Sequence, residues 1–438
     1  MDGASTMDSL PFWALLPLCG LAAVLTVVQA SRSKNAAAAF VLMAIGLRSI
    51  LSSCHQYTYS ISPLGLSYNA LASVLVAVSG LLVIRRNHGM RYIVWPAVPL
   101  IVVMLVSTLV NSTPAPAASA MIKLVYFIVL ATLVAQSLKA VGPSRFFGLL
   151  LPVALLPLAY QIVSIFLGAA KRGESDGSAS YIGGFNHEAA YSLLIVGALA
   201  VVCFADFLRL RSKLLLVAWC TGALFLANYR TSILAIAPLL SVTLFSAIPG
   251  AFVNHHRALI RVQLVVGLAV CVGVIAITQG DRFSDIGLAY DYGSELLQPP
   301  GEHSMEYRRL LSGRPGIWSN YYFGWLDGTP TQKLVGFGPE TWTQYFDLYA
   351  HNTLVSALFE IGLLGVLITC LFFALNAAVS LTRGGLARDW RLFAGHISFF
   401  VLNMATMPMW MIEGLIFYSI ICGFSVYRLR MTLALKSG

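Results

Sequence analysis

The stretch AHNTLVSALFEIGLLG, Ala350 to Gly365, sets His351 at the mouth of an apolar helix and Glu360 deep inside it. Both residues are expensive in such surroundings, so a return in function is expected of them. Three cations share that setting. Arg48 stands near the exit of the second hydrophobic stretch, Lys123 within two turns of the start of the fifth, and Arg230 in NYRTSIL where the eighth turns into the ninth. A charge inside a membrane span costs roughly 2.5–3.5 kcal/mol on insertion scales, so three cations at one depth point to an anionic ligand. Taken singly, each can also snorkel to the lipid headgroups. Glu360 needs a partner of its own, and Arg48 or Lys123 in a structural ion pair is the expected one.

The elements that must position these residues follow from composition. Of the 438 residues 58% are hydrophobic and 11% charged, and the mean hydropathy is +0.79, outside the soluble globular range. The chain reads as an all-α polytopic membrane protein with about 12–13 transmembrane helices. Windows of about 20 apolar residues recur throughout, and a single chain in lipid must satisfy its backbone internally. The expected spans are 10–30, 36–53, 67–84, 92–111, 117–138, 147–168, 189–207, 214–229, 231–248, 260–279, 351–381, 392–411 and 413–428. The first stretch follows Asp2 and Asp8 without a basic leader, so it is expected to be retained. The seven cysteines lie in or beside these spans without paired spacing and read as small apolar core residues, giving no disulfide or zinc framework.

Orientation comes from the basic residues. Eighteen of the 28 collect in alternate loops, from Arg32 and Lys34 to Arg428, Arg430 and Lys436, and the positive-inside rule makes those loops cytoplasmic. The net charge of +10 is then mostly topology. It forms no continuous basic face, so no nucleic-acid partner is expected. The other ten, including Arg308 and Arg314, fall on the outer side or in the outer half of a span. One outer loop, 280–350, is different in kind: it holds nine of the eighteen acidic residues, and loops of that length are usually functional. The chain therefore reads as a single membrane domain, 1–438, with one elaborated loop.

Short pieces of that loop carry further candidates. SGRPGIW places Arg314 before a Pro-Gly turn and Trp318, and VGFGPETW contains Gly336 and Gly338, which suit tight turns or close backbone approach. Trp318 and Trp342 are equally readable as interfacial aromatics. Earlier, YIGGFNHEAAYSLL brings His187 and Glu188 to the mouth of the seventh helix, where Asn186 or His187 can cap the helix or face a cavity.

The outward Arg of the YRTS turn, the Arg upstream of a Trp, the GxG segment and HNTLVSALFEIGLLG, in that order, resemble the O-antigen ligase and O-antigen or exopolysaccharide polymerase superfamily over residues 180–370. The resemblance implies a GT-C-like fold in the bacterial inner membrane, with an active site facing the periplasm and the loop 280–350 on that side. It implies transfer of glycan from undecaprenyl pyrophosphate to a hydroxyl of an acceptor glycan, either another lipid-linked repeat or the lipid A core. Carried over residue by residue, Arg230 and Arg314 engage the pyrophosphate and His351 acts at the acceptor hydroxyl. Lys123, Arg48, His187, Arg308, Trp318 and Asn352 are then the expected substrate contacts, with Glu360, Gly336 and Gly338 structural. Guanidiniums bind phosphate oxygens bidentately, and an imidazole of pKa about 6.5 suits a general base, so displacement at the anomeric carbon would invert it. His351 can instead simply cap the helix. The outer loops 54–66 and 112–116 contain no carboxylate, so cations are expected to replace a metal, and no cofactor is expected. Thirteen spans put the N-terminus outside, whereas the ligases are drawn with twelve helices and both ends inside. Polymerase is slightly favoured over ligase, because the loop is rich in Asp, Glu, Tyr and Trp. A secondary transporter with Arg48, Lys123 and Glu360 along its path is the alternative of another class, and it would open a cavity to the cytoplasmic side.

Overall fold

The computed structural model describes residues 10–85, 89–172, 179–250, 252, 254–278, 298–300, 302, 313–381 and 389–437. Each of the thirteen expected spans lies mainly on helix, the one at 147–168 across the two helices Pro143–Ala154 and Leu156–Phe166, and among the described residues eight helical segments are long and apolar enough to cross a membrane by length and composition. The protein is an all-α polytopic membrane protein, with one two-stranded ribbon, Lys171–Arg172 against Ala179–Ser180. Helix starts follow local chemistry. The Asn35 and Ser67 side chains accept backbone N–H groups of the turns they open, and Pro114 and Pro143 stand in first turns, where a missing N–H costs nothing.

The last helix, Ile412–Ser437, is the central post: 89% of its apolar window is buried, against 28% for the first helix, Phe12–Ser33. It packs mainly on Pro114–Val141 and Glu188–Phe204; Tyr418 stacks with Phe127 and with Phe399 of Trp390–Ala405, and Phe372 of Thr353–Leu381 meets Phe127 edge to face. At the basic end, Arg391 bridges Asp206 and Asp389 and donates to the Cys203 carbonyl, while Lys213 also reaches Asp206. Burial alone would raise the Asp206 pKa, but these cations hold it below the usual carboxylate value.

At the opposite end the helix Thr353–Leu381 is broken at Gly362, whose backbone (φ 72°, ψ −171°) lies in a region that favours glycine. The break frees the carbonyls of Phe359 and Glu360 from helical bonding. They accept the N–H groups of Phe337 (2.9 Å) and Gly338 (2.8 Å), so the GFG segment docks as a strand-like strip on the broken helix. A side chain at Gly336 would lie 2.2 Å from the Glu360 carbonyl carbon, and one at Gly362 would lie 2.4 Å from the Leu334 carbonyl. The glycines thus admit backbone against backbone, where the sequence also left room for approach to a ligand. Gly362→Ala is expected to lift this strip off the helix. Limited proteolysis of the purified protein should then cut between residues 327 and 341 about 5- to 150-fold faster than in the wild type, as the cost of opening that segment falls by roughly 1–3 kcal/mol with the added strain.

Candidate functional site

The docked strip forms one wall of a cleft of about 270 Å³ at this end of the bundle, lined among others by Lys123, His187, Glu340, Trp342, Tyr349 and Glu360. Tyr59, Met407 and Trp410 complete its aromatic and apolar side. Glu340 carries a left-handed backbone (φ 60°), an uncommon state for a residue with a side chain. Two contacts hold it there. Its N–H donates to the Glu360 carboxylate, and its own carboxylate pairs with the Lys123 ammonium. Ser356 Oγ donates to the other Glu360 oxygen at 2.6 Å.

This arrangement corrects the expected ion pair of Glu360 with Arg48 or Lys123. Lys123 is taken by Glu340, and Glu360 is satisfied by a hydroxyl and a backbone N–H. The physical reason is the break at Gly362, which brings the strip from outside the helix onto Glu360 before a cation can reach it. Arg48 is corrected too, from substrate contact to structural pair. Its Nε and Nη2 lie 2.9 and 2.8 Å from Glu413 Oε1, its Nη1 donates to Asn69, and Ser52 Oγ donates to the same Glu413 oxygen at 2.7 Å. Arg48 is 8% and Glu413 1% exposed, so the pair is sealed between three helices.

Two further expected substrate contacts turn out to build the site. Asn352 caps Thr353–Leu381: its Oδ1 accepts from the N–H of Leu354 (2.9 Å) and Val355 (3.2 Å), while Nδ2 donates to the Met404 carbonyl at 3.0 Å. Trp318 Nε1 donates to the Ala350 carbonyl at 2.8 Å and so braces the residue before His351. His187 does both things proposed for it. Its Nδ1 accepts the Ala189 N–H at 3.0 Å, which assigns the ring proton to Nε2 in the neutral form, and its ring lines the cleft.

His351 sits between Trp318's brace and the Asn352 cap with φ 51°, a second left-handed residue at this site. Its ring lies 3.9 Å from that of Tyr349, a cleft-lining residue, and its Nδ1 is buried without a partner among the described residues. Burial first, then the charges of Arg314 and His187, lower its pKa to about 4. The ring is therefore neutral above about pH 5 and able to accept a proton. Arg314 opens the helix Arg314–Leu326 after Gly313 in a left-handed turn, and its charge reaches Tyr229, Tyr349 and His351. Among the described residues its guanidinium has no hydrogen-bond or ion-pair partner. Burial raises the Tyr229 and Tyr349 pKa values despite that nearby charge, so both phenols stay protonated as donors.

Arg230 begins the helix Arg230–Gly250 directly after Tyr229, but its side chain lies outside the described residues, as does Arg308. Glu413, Glu340, Tyr349 and Tyr229 were not singled out from the sequence. A buried Arg48 demands an anion at its own depth, and Glu413 at the start of the last expected span was the signal available. Comparison with models of known families and with characterised proteins finds no match for this chain.

Proposed function

We propose that this protein is a periplasmic-face glycosyltransferase of the inner membrane, GT-C-like, with the loop 280–350 on the periplasmic side. It moves glycan from undecaprenyl pyrophosphate to a sugar hydroxyl, as an O-antigen or exopolysaccharide repeat-unit polymerase or, as the close alternative, a ligase onto the lipid A core. One observation carries the reading: Arg314, whose guanidinium has no partner among the described residues, acts with its charge on His351, a half-buried neutral imidazole packed on Tyr349 of a cleft lined by carboxylates and aromatics.

Each residue then has a task that its surroundings support. Arg314, joined by Arg230 in the reading taken from the sequence, holds the diphosphate bidentately and stabilises the charge that builds on the leaving oxygen. His351 takes the proton of the acceptor hydroxyl as that oxygen bonds to the anomeric carbon, and the carbon's bond to the phosphate oxygen breaks with its electron pair leaving on the diphosphate. The result is inversion at that carbon. General-base help of this kind is worth roughly 10²–10⁴ in rate. Trp342, Trp410 and Tyr59 offer flat apolar faces, and Glu340 offers a carboxylate to sugar hydroxyls. A transporter would need this cleft to continue to the basic end. A second cavity, about 120 Å³ and lined by Met90, Lys139 and Arg430 among others, lies there, and the two share no lining residue.

The pH dependence gives a signed expectation. In the free protein His351 loses its base function only as pH falls through about 4, so kcat/KM should be insensitive to this group from pH 5 upward. A bound diphosphate adds negative charge beside the ring and favours the imidazolium, so the acid limb of kcat should lie at higher pH than that of kcat/KM. Coincident limbs would contradict a diphosphate beside His351. The functional test is a deletion strain complemented with His351→Ala and analysed by gel for surface glycans. Single repeats still attached to core identify a polymerase, loss of all attachment identifies a ligase, and normal glycans overturn both.

A further inference from the structure

Cys19 and Cys54 are 35 residues apart in sequence, yet their sulfurs lie 3.2 Å apart, closer than two thiols rest without bonding. Cys19 belongs to Phe12–Ser33 and Cys54 caps the end of Ala36–Ser53, so the contact joins the first two helices at the end away from Arg32 and Lys34. Neither cysteine is fully buried, and each is within reach of Ser53 Oγ, at 3.9 and 4.0 Å, while the Tyr160 hydroxyl donates to Cys19 Sγ at 3.7 Å. Phe12 and Tyr57 meet edge to face at 5.8 Å just above them, which fixes the depth of one helix against the other. A disulfide needs sulfurs about 2.05 Å apart, a gap that side-chain rotation covers. The basic loops put this end on the non-cytoplasmic side, where disulfides form and persist.

We propose that Cys19 and Cys54 form a disulfide that staples the first helix to the outer corner of the second. The thiolate of one of the pair attacks the disulfide of an oxidised dithiol oxidoreductase and displaces one of its thiolates. The thiolate of its neighbour then attacks the sulfur of the mixed disulfide that belongs to this chain and displaces the other. One S–S bond forms in this chain, two S–H protons are released, and the oxidoreductase disulfide takes the two electrons. The staple sits beneath the cleft wall: the next residue, His55, donates from its ring to the Gly184 carbonyl at 2.7 Å, and Tyr59, one turn on, lines the cleft. This inference is independent of the reaction proposed above.

Cells expressing the full-length protein are quenched in acid, which stops thiol exchange, then denatured in SDS with maleimide-polyethylene glycol, with or without prior reduction. Five of the seven cysteines should react without reductant and all seven after it, a shift of two adducts on a gel. In Cys19→Ser all six remaining thiols should react in either condition, and peptide mass spectrometry of the wild type should find Cys19 linked to Cys54. Seven adducts before reduction overturn the proposal, and so does a reducible pair made of any other two cysteines.

Discussion

Replacing Arg314 with alanine should lower glycan transfer by about 10²–10³-fold, the loss typical when one preorganised donor to a developing anion is removed. The large effect is expected because this guanidinium has no other work among the described residues: it braces no loop and pairs with no carboxylate. Its loss should therefore leave thermal stability within about 0.5 kcal/mol of the wild type. Arg314→Lys keeps the charge but not the planar fork, so it should recover only part of the rate. The check is the rate of undecaprenyl pyrophosphate release by purified protein in lipid nanodiscs, alongside its melting curve. An Arg314→Ala protein that melts early would make this residue a brace for the loop instead.

The second large effect is on stability. Glu413→Ala should cost about 3–5 kcal/mol, because it leaves the Arg48 guanidinium buried and uncompensated between three helices. Replacing both partners, Arg48→Met with Glu413→Leu, should restore much of the loss, since an apolar pair of similar bulk needs no counter-ion. Melting of the detergent-solubilised protein distinguishes the two, with Asn69 and Ser52 untouched in both. If Arg48 were a substrate contact, Arg48→Met alone would remove activity while leaving Tm in place; the sealed pair predicts the reverse order of effects.

What the sequence made legible was whatever depends on local pattern. Twenty-residue apolar windows fix helices because lipid leaves the backbone no other partner, and all thirteen expected spans lie mainly on helix, with ends that differ by up to several residues and one span divided at Leu155. His187 at a helix start was visible as cap chemistry, whereas the cap expected of His351 is made by its neighbour Asn352, which the sequence assigns to substrate. Partner choice was not legible. Glu360 reads as a buried acid awaiting a cation, and nothing local says that Gly362, two residues on, breaks the helix and recruits a strip from residues 336–340. The same limit hid Glu413 from Arg48 and Cys19 from Cys54, since each pair is fixed by how two helices cross. His351 and Arg314 were singled out by motif, and their electrostatic coupling is a property of the fold.

The most direct measurement is a cryo-electron-microscopy structure of the full-length protein in nanodiscs with undecaprenyl pyrophosphate bound. The account predicts phosphate oxygens about 3 Å from the Arg314 guanidinium nitrogens, with the terminal phosphate facing the His351 ring across the cleft mouth. A diphosphate seated at the basic end beside Lys139 and Arg430, or one that leaves Arg314 without contact, would contradict it.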